Sequence, residues 1–569
     1  MHRAHLRSGF RLHAGPLDAA FHAASDRAAH AASGLWRHDP STWGLDPGVQ
    51  ARIANRLGWL ASPALMKASA SRIVAMADAV RRDGIEDVVL LGMGGSSLAP
   101  EVLRSVIGIT PGFPRLHMLD STDPAAIRAV TTTPKRTLYL LASKSGTTIE
   151  PNSLASHFRD GLERAGVPHW GAHFIAITDP GTALADRARV EQFRDVFINP
   201  ADIGGRYSAL SFFGLVPAAL MGQDVTEIVD WGLAMLEEAR TDAPLQENGA
   251  VALGALMGAG AKAGRDKLTL IVPPPLEPFG LWVEQLVAES TGKQGVGVVP
   301  IAGETLGDPS VYGADRVFVR LRTSNDDEVS RDTAFSALSA WPSATIAFPK
   351  AEALGAEFMR WEIATAIAGA ILDINPFDEP NVQQAKDATK VLLDAHARAG
   401  HFPRAVVDHS AAGTTYTLTT AARTPLRTGG ATSFLSLLET GDYLALLAYL
   451  GPDVALADSL FRFRMAVRDR AHSATMVGYG PRYLHSTGQL HKGGANNGVF
   501  IIVTADAVLD LPIPDQPFSF GTLEAAQGRG DFASLEATGR RGLHIHLQTP
   551  SAATLDAALR PLLDHLARG

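Results

Sequence analysis

Two loops rich in glycine and serine have the residue types and the positions that suit a phosphate-binding site. Residues 92–97 (Gly-Met-Gly-Gly-Ser-Ser) follow the apolar run 88–91, and residues 143–148 (Ser-Lys-Ser-Gly-Thr-Thr) follow the apolar run 138–142. Glycines let backbone N–H groups approach an anion, hydroxyls donate hydrogen bonds, and Lys144 adds a positive charge. In a parallel sheet both loops would lie at the carboxyl ends of their strands, where open α/β folds bind ligands. The sequence therefore predicts a site for a small phosphorylated ligand.

Two other interpretations of these loops stay open. A Gly-Xaa-Gly turn also begins dinucleotide-binding folds, and Asp120 stands roughly where a ribose-binding acid would follow, about 20 residues on. Against this, Ser97 occupies the position of the third glycine in that fingerprint. The second alternative is that both loops are ordinary helix caps, because Ser, Thr and Gly are common at helix N-termini.

Three charged residues elsewhere could act on a bound sugar. Glu289 lies near the end of a predicted amphipathic helix, where the helix dipole raises the pKa of a carboxyl toward that of a general base. Arg206 follows two glycines that can aim a guanidinium into a cleft to stabilise an oxyanion. Lys386 lies in a predicted helix whose start is bracketed by two prolines.

Each of these charged residues also has a purely structural interpretation. Glu289 could form a surface ion pair with Lys293, four residues later on the same helix. Arg206 could pair with Asp202, and Lys386 could be a surface lysine.

The composition predicts a globular protein of about three or four domains, because 569 residues exceed what one core holds. The chain has no cysteine, which excludes disulfides, thiolate catalysis and sulfur-bound metals and fits a reducing cytoplasm. Its formal net charge of −8 argues against a nucleic-acid-binding surface. The first residues lack the apolar region of a signal peptide, and no apolar run approaches the ~20 residues of a membrane span. We therefore expect a cytoplasmic protein with no membrane contact.

The order of strand-like runs and helical patterns divides the chain into four segments and predicts the α/β class. Residues 1–44 are predicted as an N-terminal helical arm. Residues 45–225 and 226–400 each alternate strands with helices, which predicts two parallel-sheet domains with a ligand cleft between them. Residues 401–569 are predicted as a C-terminal α/β extension. The predicted strands are 86–92, 115–120, 137–143, 173–178 and 196–198, then 268–272, 296–299, 317–319 and 344–347, and finally 498–503 and 543–547.

Five segments resemble, in order, the motifs of the phosphoglucose isomerase family. They are Gly-Gly-Ser at 94–96, Ser-Lys-Ser-Gly-Thr-Thr at 143–148, Gly-Gly-Arg-Tyr-Ser at 204–208, Glu-Ser-Thr-Gly-Lys at 289–293, and 375–386, which begins Asn-Pro-Phe-Asp and ends at Lys386. The resemblance covers about 45–400, and the whole chain looks most like the isomerase half of fused transaldolase–phosphoglucose isomerase proteins. Because a transaldolase barrel needs roughly 250 residues and 44 precede this region, transaldolase activity is not expected.

The resemblance implies two tandem sugar-isomerase domains of flavodoxin-like type and the interconversion of glucose 6-phosphate and fructose 6-phosphate by a homodimer. In this assignment, Glu289 would move a proton between C1 and C2 through a cis-enediol. Arg206 would stabilise the enediolate oxygen, and Lys386 would assist ring opening. No metal or organic cofactor is required. The residues around the phosphate would be Gly95, Ser96, Ser143, Lys144, Ser145 and Thr148.

One departure from the family pattern concerns ring opening. The family's ring-opening histidine lies some thirty residues beyond the base and comes from the neighbouring subunit, whereas residues 291–395 of this chain contain no histidine. Asp315 falls near the matching place and is the residue we predict for this role. The alternatives are His485 or His491 from the extension, or spontaneous ring opening. The glycine-rich, basic end of the segment that contains these histidines could also be a structural loop.

Two other functions remain open for the sequence. An isomerase could also accept mannose 6-phosphate, and a sugar-isomerase fold could serve as a sugar-phosphate sensor without catalysis. The trio of Glu289, Arg206 and Lys386 favours an enzyme, because a sensor has no need for a base.

Overall fold

Three β-sheets, each flanked by helices, form the framework of the protein. The structure is a computed structural model and describes residues 2–241, 243–323, 329–404, 406–426 and 430–566. Among these residues, no helix combines the length and the apolar character needed to cross a lipid bilayer.

The N-terminal arm is mainly helical and is anchored to the rest of the protein by a short strand. Its elements are α1 (His2–Ser8), β1 (Phe10–His13), α2 (Asp18–Ala23) and α3 (Ser25–Trp36). The strand, which the sequence did not reveal, pairs antiparallel with a strand of the second sheet, with Phe10 opposite Ile346.

The first sheet is parallel throughout, in the order β3-β2-β4-β5-β6. The strands predicted for this region are all confirmed to within two residues at each end. Every residue of β2 and β4 is buried, as expected for a sheet covered by helices on both faces. The elements are α4 (Pro47–Ala54), α5 (Ser62–Arg82), β2 (Asp87–Gly92), α6 (Leu98–Val106), β3 (Arg115–Leu119), α7 (Pro124–Ala129), β4 (Thr137–Ala142), α8 (Ile149–Arg164), β5 (Phe174–Thr178), α9 (Ala183–Val190), β6 (Asp195–Ile198) and α10 (Phe212–Leu220).

The second sheet has the order β1-β10-β9-β7-β8 and is parallel except for β1. One predicted strand was placed too early, because residue 296 belongs to a tight turn closed onto Lys293 and the strand begins at Val299. The elements are α11 (Val225–Ala239), α12 (Gly249–Lys262), β7 (Lys267–Ile271), α13 (Glu277–Thr291), β8 (Val299–Ile301), β9 (Arg316–Thr323), α14 (Val329–Ser336), β10 (Ser343–Phe348), α15 (Leu354–Ile371) and α16 (Val382–Ala399).

The extension forms a third sheet of order β11-β12-β16-β15-β13-β14, whose last four strands are mutually parallel. The two strands predicted here, 498–503 and 543–547, are present as β15 and β16. The elements are β11 (His409–Ala411), β12 (Thr414–Leu418), α17 (Thr420–Leu426), β13 (Tyr443–Tyr449), α18 (Val454–Ala471), β14 (Ala474–Tyr479), α19 (Gly488–Gly493), β15 (Gly498–Ala505), α20 (Phe520–Ala537), β16 (Arg541–Leu547) and α21 (Ala552–Leu566).

The three sheets are joined by continuous apolar packing. Every residue of α15 is buried, and this helix packs against α11, α12 and α13. Helix α13 packs in turn against α6 of the first unit, residues 45–225, so this unit and the second unit, residues 226–400, share one core. The extension packs on both units, because α20 contributes Phe520 and Leu523 beside α8, and β13 and α19 lie against Ala288 and Val299. This packing brings α13, α16 and the extension together at the edge of the first sheet.

Candidate functional site

A cleft of about 420 Å³ opens where the carboxyl edge of the first sheet meets α13, the start of α16 and the extension. It gathers nine of the ten predicted site residues from five separate parts of the chain. The residues that line it are Gly95, Ser96, Ser143, Lys144, Ser145, Thr148, Arg206, Glu289 and Lys386. Asp315 does not line it.

The first serine loop, residues 92–97, is in direct backbone contact with the loop of residues 204–208 that carries Arg206. Residues Gly94–Ser96 form a single 3₁₀ turn, and Gly94 has a φ of 54°, which suits glycine. A Cβ at Gly95 would lie 2.0 Å from the carbonyl oxygen of Gly205, directly before Arg206. Gly95 therefore allows the first serine loop and the loop before Arg206 to touch, and both line the same cleft.

The second serine loop leads into α8 and presents hydroxyl groups at the start of that helix. Ser143 Oγ donates to Thr148 Oγ1 over 3.2 Å, and Ser145 Oγ lies 3.1 Å from Thr147 Oγ1. Thr148 precedes α8 without bonding its side chain to the first turn of the helix. The first N–H groups of α8 and these hydroxyls are therefore arranged to receive an anion.

Lys144 lines the cleft but is already paired. Its ammonium group forms an ion pair with Asp179 and also donates to the carbonyl of Ala201 over 3.0 Å. Burial raises the pKa of Asp179 despite the nearby ammonium charge. Arg56 lines the same part of the cleft and adds a second cation there.

Glu289 is the buried carboxyl of the cleft. It lies two residues before the end of α13, and 9% of it is exposed. Gln285 Nε2 donates to Glu289 Oε2 over 3.3 Å. Burial raises the pKa of Glu289 to about 7, the charge of Arg206 opposes that rise, and the carboxyl of Glu379 adds to it. A carboxyl that gains and loses a proton near neutral pH is suited to general acid–base work.

Arg206 is fixed by protein acceptors on nearly all sides. Its Nε donates to Ser290 Oγ over 2.7 Å, and Nη2 donates to the carbonyls of Pro376 and Asp378 over 2.8 and 3.0 Å. Nη1 donates to Glu379 Oε2 over 3.0 Å and lies 3.6 Å from Glu289 Oε1. Of the five N–H groups of a guanidinium, four are thus used, and one on Nη1 remains for a ligand beside Glu289.

The structural alternatives for Glu289 and Arg206 do not hold in this structure, whereas the one for Lys386, a surface lysine, stays open. Lys293 is buried and its ammonium pairs with Asp378 Oδ1 over 2.9 Å, so it does not form a surface pair with Glu289. Burial lowers the pKa of Lys293 to about 8. Arg206 is bound by the partners named above and not by Asp202. Lys386 is exposed on α16 and lines the cleft.

Of the three residues considered for ring opening, His485 lines the cleft and Asp315 and His491 do not. Asp315 lies at the amino end of β9, where its carbonyl accepts the N–H of Lys267 and its carboxylate is 3.5 Å from that lysine's ammonium. It therefore has no access to a sugar bound in the cleft. His491 is buried with no partner for either ring nitrogen among the described residues, and it lies outside the cleft. His485 lines the cleft, and its Nε2 is 2.9 Å from Glu150 Oε1.

Several residues at or beside the cleft were not identified from the sequence. Glu150 is the second residue of α8, beside the cleft, and would have been found only by asking what a histidine far along the chain would pair with. Gln285 lies one turn before Glu289 on the same face of α13, a spacing that could have been noticed. Glu379 belongs to the motif 375–386, and apart from that position nothing in the sequence marked its carboxylate as a cleft residue.

Comparisons with known proteins identify the family of this chain. The family model for phosphoglucose isomerase matches residues 66–313. The glucose-6-phosphate isomerase of Rubrobacter xylanophilus is 30% identical over 368 residues, which cover 55% of this chain and 84% of that protein. The chain belongs to the phosphoglucose isomerase family. As a member of this family it is an aldose–ketose isomerase.

Other members and solved structures extend the comparison. A Synechococcus glucose-6-phosphate isomerase is 28% identical over 406 residues, which cover 60% of this chain and 75% of that protein. In the solved structures, a hypothetical protein of Thermus thermophilus superimposes with a TM-score of 0.57 at 24% identity, over 67% of this chain and 99% of that one. A glucose-6-phosphate isomerase of Chlamydia trachomatis superimposes with a TM-score of 0.52 at 21% sequence identity. The superposition covers 66% of this chain and 79% of that one. At these identities the two structures bear on the fold, which is that of the phosphoglucose isomerase family.

Proposed function

We propose that this member of the family interconverts glucose 6-phosphate and fructose 6-phosphate through a cis-enediol intermediate, with Glu289 as the base. The observation that supports this most strongly is the pairing of a buried carboxyl with a pKa of about 7 and a guanidinium 3.6 Å away that has one unused N–H group. Both groups lie in the cleft lined by the serine loops.

The reaction needs the sugar held by an end that does not react. The hydroxyls of Ser96, Ser143, Ser145 and Thr148 and the start of α8 would bind the phosphate, with Lys144 and Arg56 nearby. A phosphate anchored there would leave C1 and C2 to extend toward α13, and such anchoring lowers the entropy cost of orienting the reacting carbons.

Glu289 would then take the proton from C2 of the open-chain aldose while the carbonyl oxygen at C1 becomes the enediolate oxygen. The free N–H of Arg206 would stabilise that negative charge, and the proton of the C2 hydroxyl would pass to the C1 oxygen. Glu289 would return the proton it had taken to C1 as the carbonyl forms at C2, which gives the ketose. The step conserves atoms and uses one base and one fixed cation. Lys386, exposed at the rim of the cleft, would assist at the sugar ring.

A matched pair of variants on α13 tests the proposal. Glu289→Gln keeps size and removes the base, so turnover of fructose 6-phosphate in a coupled assay should fall roughly 10²–10⁴-fold, with affinity for the substrate retained. Glu284→Gln is the control: Glu284 is equally buried on the same helix with a pKa raised to about 7, but it accepts the N–H of Ala302 and lies outside the cleft.

The control variant should keep normal turnover. Near-normal exchange of the C2 proton with solvent in Glu289→Gln would refute the assignment of the base. A parent protein that binds sugar phosphates without turnover would instead be a sensor, and turnover of mannose 6-phosphate would identify an isomerase with broader specificity.

A further inference from the structure

The parallel strands of the C-terminal extension have the same order as those of the first sheet. In the first sheet the order β3-β2-β4-β5 places the loops after β2 and β4 side by side, and these are the two serine loops. The extension repeats this order in β14-β13-β15-β16, again with parallel strands. Open α/β sheets bind ligands at the carboxyl ends of the strands, where the strand order reverses. In the extension this rule points to the loops after β13 and β15.

A cavity of about 240 Å³, which we call the extension crevice, lies at that place. Residues 449–453 at the end of β13 and residues 505–509 at the end of β15 form two of its walls. Glu524 of α20 and residues 123–125, at the start of α7 in the first unit, complete it. Among the described residues, none lines both this crevice and the catalytic cleft. The extension crevice is therefore a separate site between the extension and the first unit.

The charge of the extension crevice is opposite to that of the serine loops. Its one cationic side chain among the described residues is that of Arg128, which is exposed and donates from Nη1 to the carbonyl of Leu509. The carboxyl groups that line it belong to Asp123, Asp453, Asp506 and Glu524. An excess of carboxyl groups favours a ligand with a positive charge, whereas hydroxyls and a lysine favour an anion.

Glu524 is the buried carboxyl of the extension crevice. It is 7% exposed, and its Oε1 meets no N–H or O–H donor among the described residues. By contrast, Asp123 Oδ1 and Asp453 Oδ1 accept the N–H groups that begin α7 and α18. Burial raises the pKa of Glu524 well above its usual range, and the neighbouring carboxylates of Asp123 and Asp510 add to that rise. A buried carboxyl without a donor is stabilised either by a proton or by a cation that contacts it.

Most of the other side chains that line the extension crevice are apolar. Pro124, Leu456 and Pro550 belong to its walls, and Val508 and Leu509 are 76% and 64% exposed. Aliphatic side chains in and beside a cavity gain free energy when the hydrocarbon part of a ligand covers them. A hydrated metal ion would leave these surfaces in water. The combination of carboxyl groups and aliphatic surface therefore suits an organic cation.

We propose that the extension crevice binds a short aliphatic amine, whose ammonium group contacts the carboxyl groups of Glu524 and Asp123. The hydrocarbon chain of the amine packs on the aliphatic side chains of the crevice. In a diamine, the second ammonium group contacts the exposed carboxylates of Asp453 and Asp506. The extension is then a ligand-binding domain in its own right, and this site does not depend on the reaction proposed for the catalytic cleft.

Titration calorimetry of the full chain with 1,4-diaminobutane tests the proposal, with uncharged 1,4-butanediol as a ligand control of the same length. The diamine should bind about tenfold or more tightly than the diol, because only an ammonium group forms charge-assisted hydrogen bonds with the carboxyl groups. Glu524→Gln should weaken binding of the diamine about tenfold or more. Glu284→Gln is the matched control, because Glu284 is also a buried carboxyl with a raised pKa but lies outside the extension crevice. It should leave the Kd unchanged.

A second variant blocks the extension crevice without changing a buried residue. Ala507 is exposed and lines the crevice, so Ala507→Trp should fill it from the outside and abolish binding of the diamine. Thermal unfolding of each variant checks that it is folded before titration. Ala507→Trp keeps the test decisive if Glu524→Gln does not fold.

The number of protons released on binding gives an independent measurement. An ammonium group favours the ionised form of Glu524, so binding at neutral pH should release up to about one proton per diamine. The heats of binding in amine-free buffers of different ionisation enthalpy give this number. Because a proton is released, the Kd should fall as pH rises, and Glu524→Gln should remove this dependence.

Four results would overturn the proposal. They are a parent protein that does not bind the diamine, equal affinity for the diamine and the diol, an unchanged Kd in folded Glu524→Gln or Ala507→Trp, and binding without release of a proton.

Discussion

The guanidinium of Arg206 contacts both Glu379 and Glu289, and removing the charge of Glu379 should change the pH at which Glu289, the proposed base, works. The two carboxylate oxygens lie 3.0 and 3.6 Å from the same Nη1 atom, so they are at most 6.6 Å apart. The substitution Glu379→Gln keeps an oxygen that can accept from Nη1 but removes the negative charge. The guanidinium charge then acts on Glu289 alone, which favours the ionised form of the base and lowers its pKa.

The size of the effect follows from the distance. Two unit charges 6.6 Å apart repel by about 0.6 kcal/mol in water and about 2.5 kcal/mol at an effective dielectric constant of 20. At 1.36 kcal/mol per unit, this corresponds to about 0.5 to 1.8 pKa units. Because the Glu379 side chain is 42% exposed, solvent screens it and the lower end of the range applies.

The assay is the pH dependence of kcat/KM. As the proposed base, Glu289 must be deprotonated to accept the C2 proton, so the parent should lose activity as pH falls through about 7. In Glu379→Gln this acid limb should move about 0.5 unit lower. The other charged groups that influence Glu289 are Arg206, His485 and Lys293, and the substitution leaves all three in place.

A charge-matched control is Glu101→Gln, which removes a half-buried carboxylate that pairs with Arg104 on α6 and does not line the catalytic cleft. Its profile should superimpose on that of the parent. An acid limb of Glu379→Gln that stays at the parent value or moves to higher pH would refute the reasoning.

Two further predictions concern the loops. Gly95→Ala should lower kcat/KM strongly and reduce the free energy of unfolding by about 1–3 kcal/mol, because its Cβ would meet the carbonyl of Gly205. Gly205→Ala, whose Cβ would meet no atom within 4 Å, should change the free energy of unfolding by less than about 0.5 kcal/mol, and identical thermal unfolding of the two variants would contradict this account. The double variant Ser145→Ala, Thr148→Ala should raise the Kd of both inorganic phosphate and sugar phosphates about tenfold or more by titration calorimetry, with kcat at saturation reduced less. An unchanged Kd for inorganic phosphate would show that the hydroxyls of Ser145 and Thr148 do not bind the phosphate.

The fold was predictable wherever local pattern carries the information. The apolar runs before the two serine loops predicted β2 and β4 correctly, because a strand that is buried on both faces is apolar along nearly its whole length. Strand β1 was missed because Phe10–His13 is short and lies at the edge of a sheet, where pairing with β10 and not its own composition makes it a strand. Residue 296 was assigned to a strand because a valine-rich turn resembles one in composition.

The sequence by itself determined the chemistry that could be present. Glu289, Arg206 and the serine loops could be singled out because each sits in a short motif that resembles, in order along the chain, a motif of the family. What the tertiary structure decided is which groups meet. Distance along the chain favoured Asp315, only 26 residues from Glu289, yet β9 carries Asp315 to the pair with Lys267.

His485 lies 335 residues from Glu150, and no local pattern links them. They meet because the extension packs its 482–494 segment on the ends of α13 and α16, a contact set by burial over the whole interface between units. The same holds for the pKa of Glu289, since the burial and the neighbouring charges that set it come from chain segments that only folding brings together.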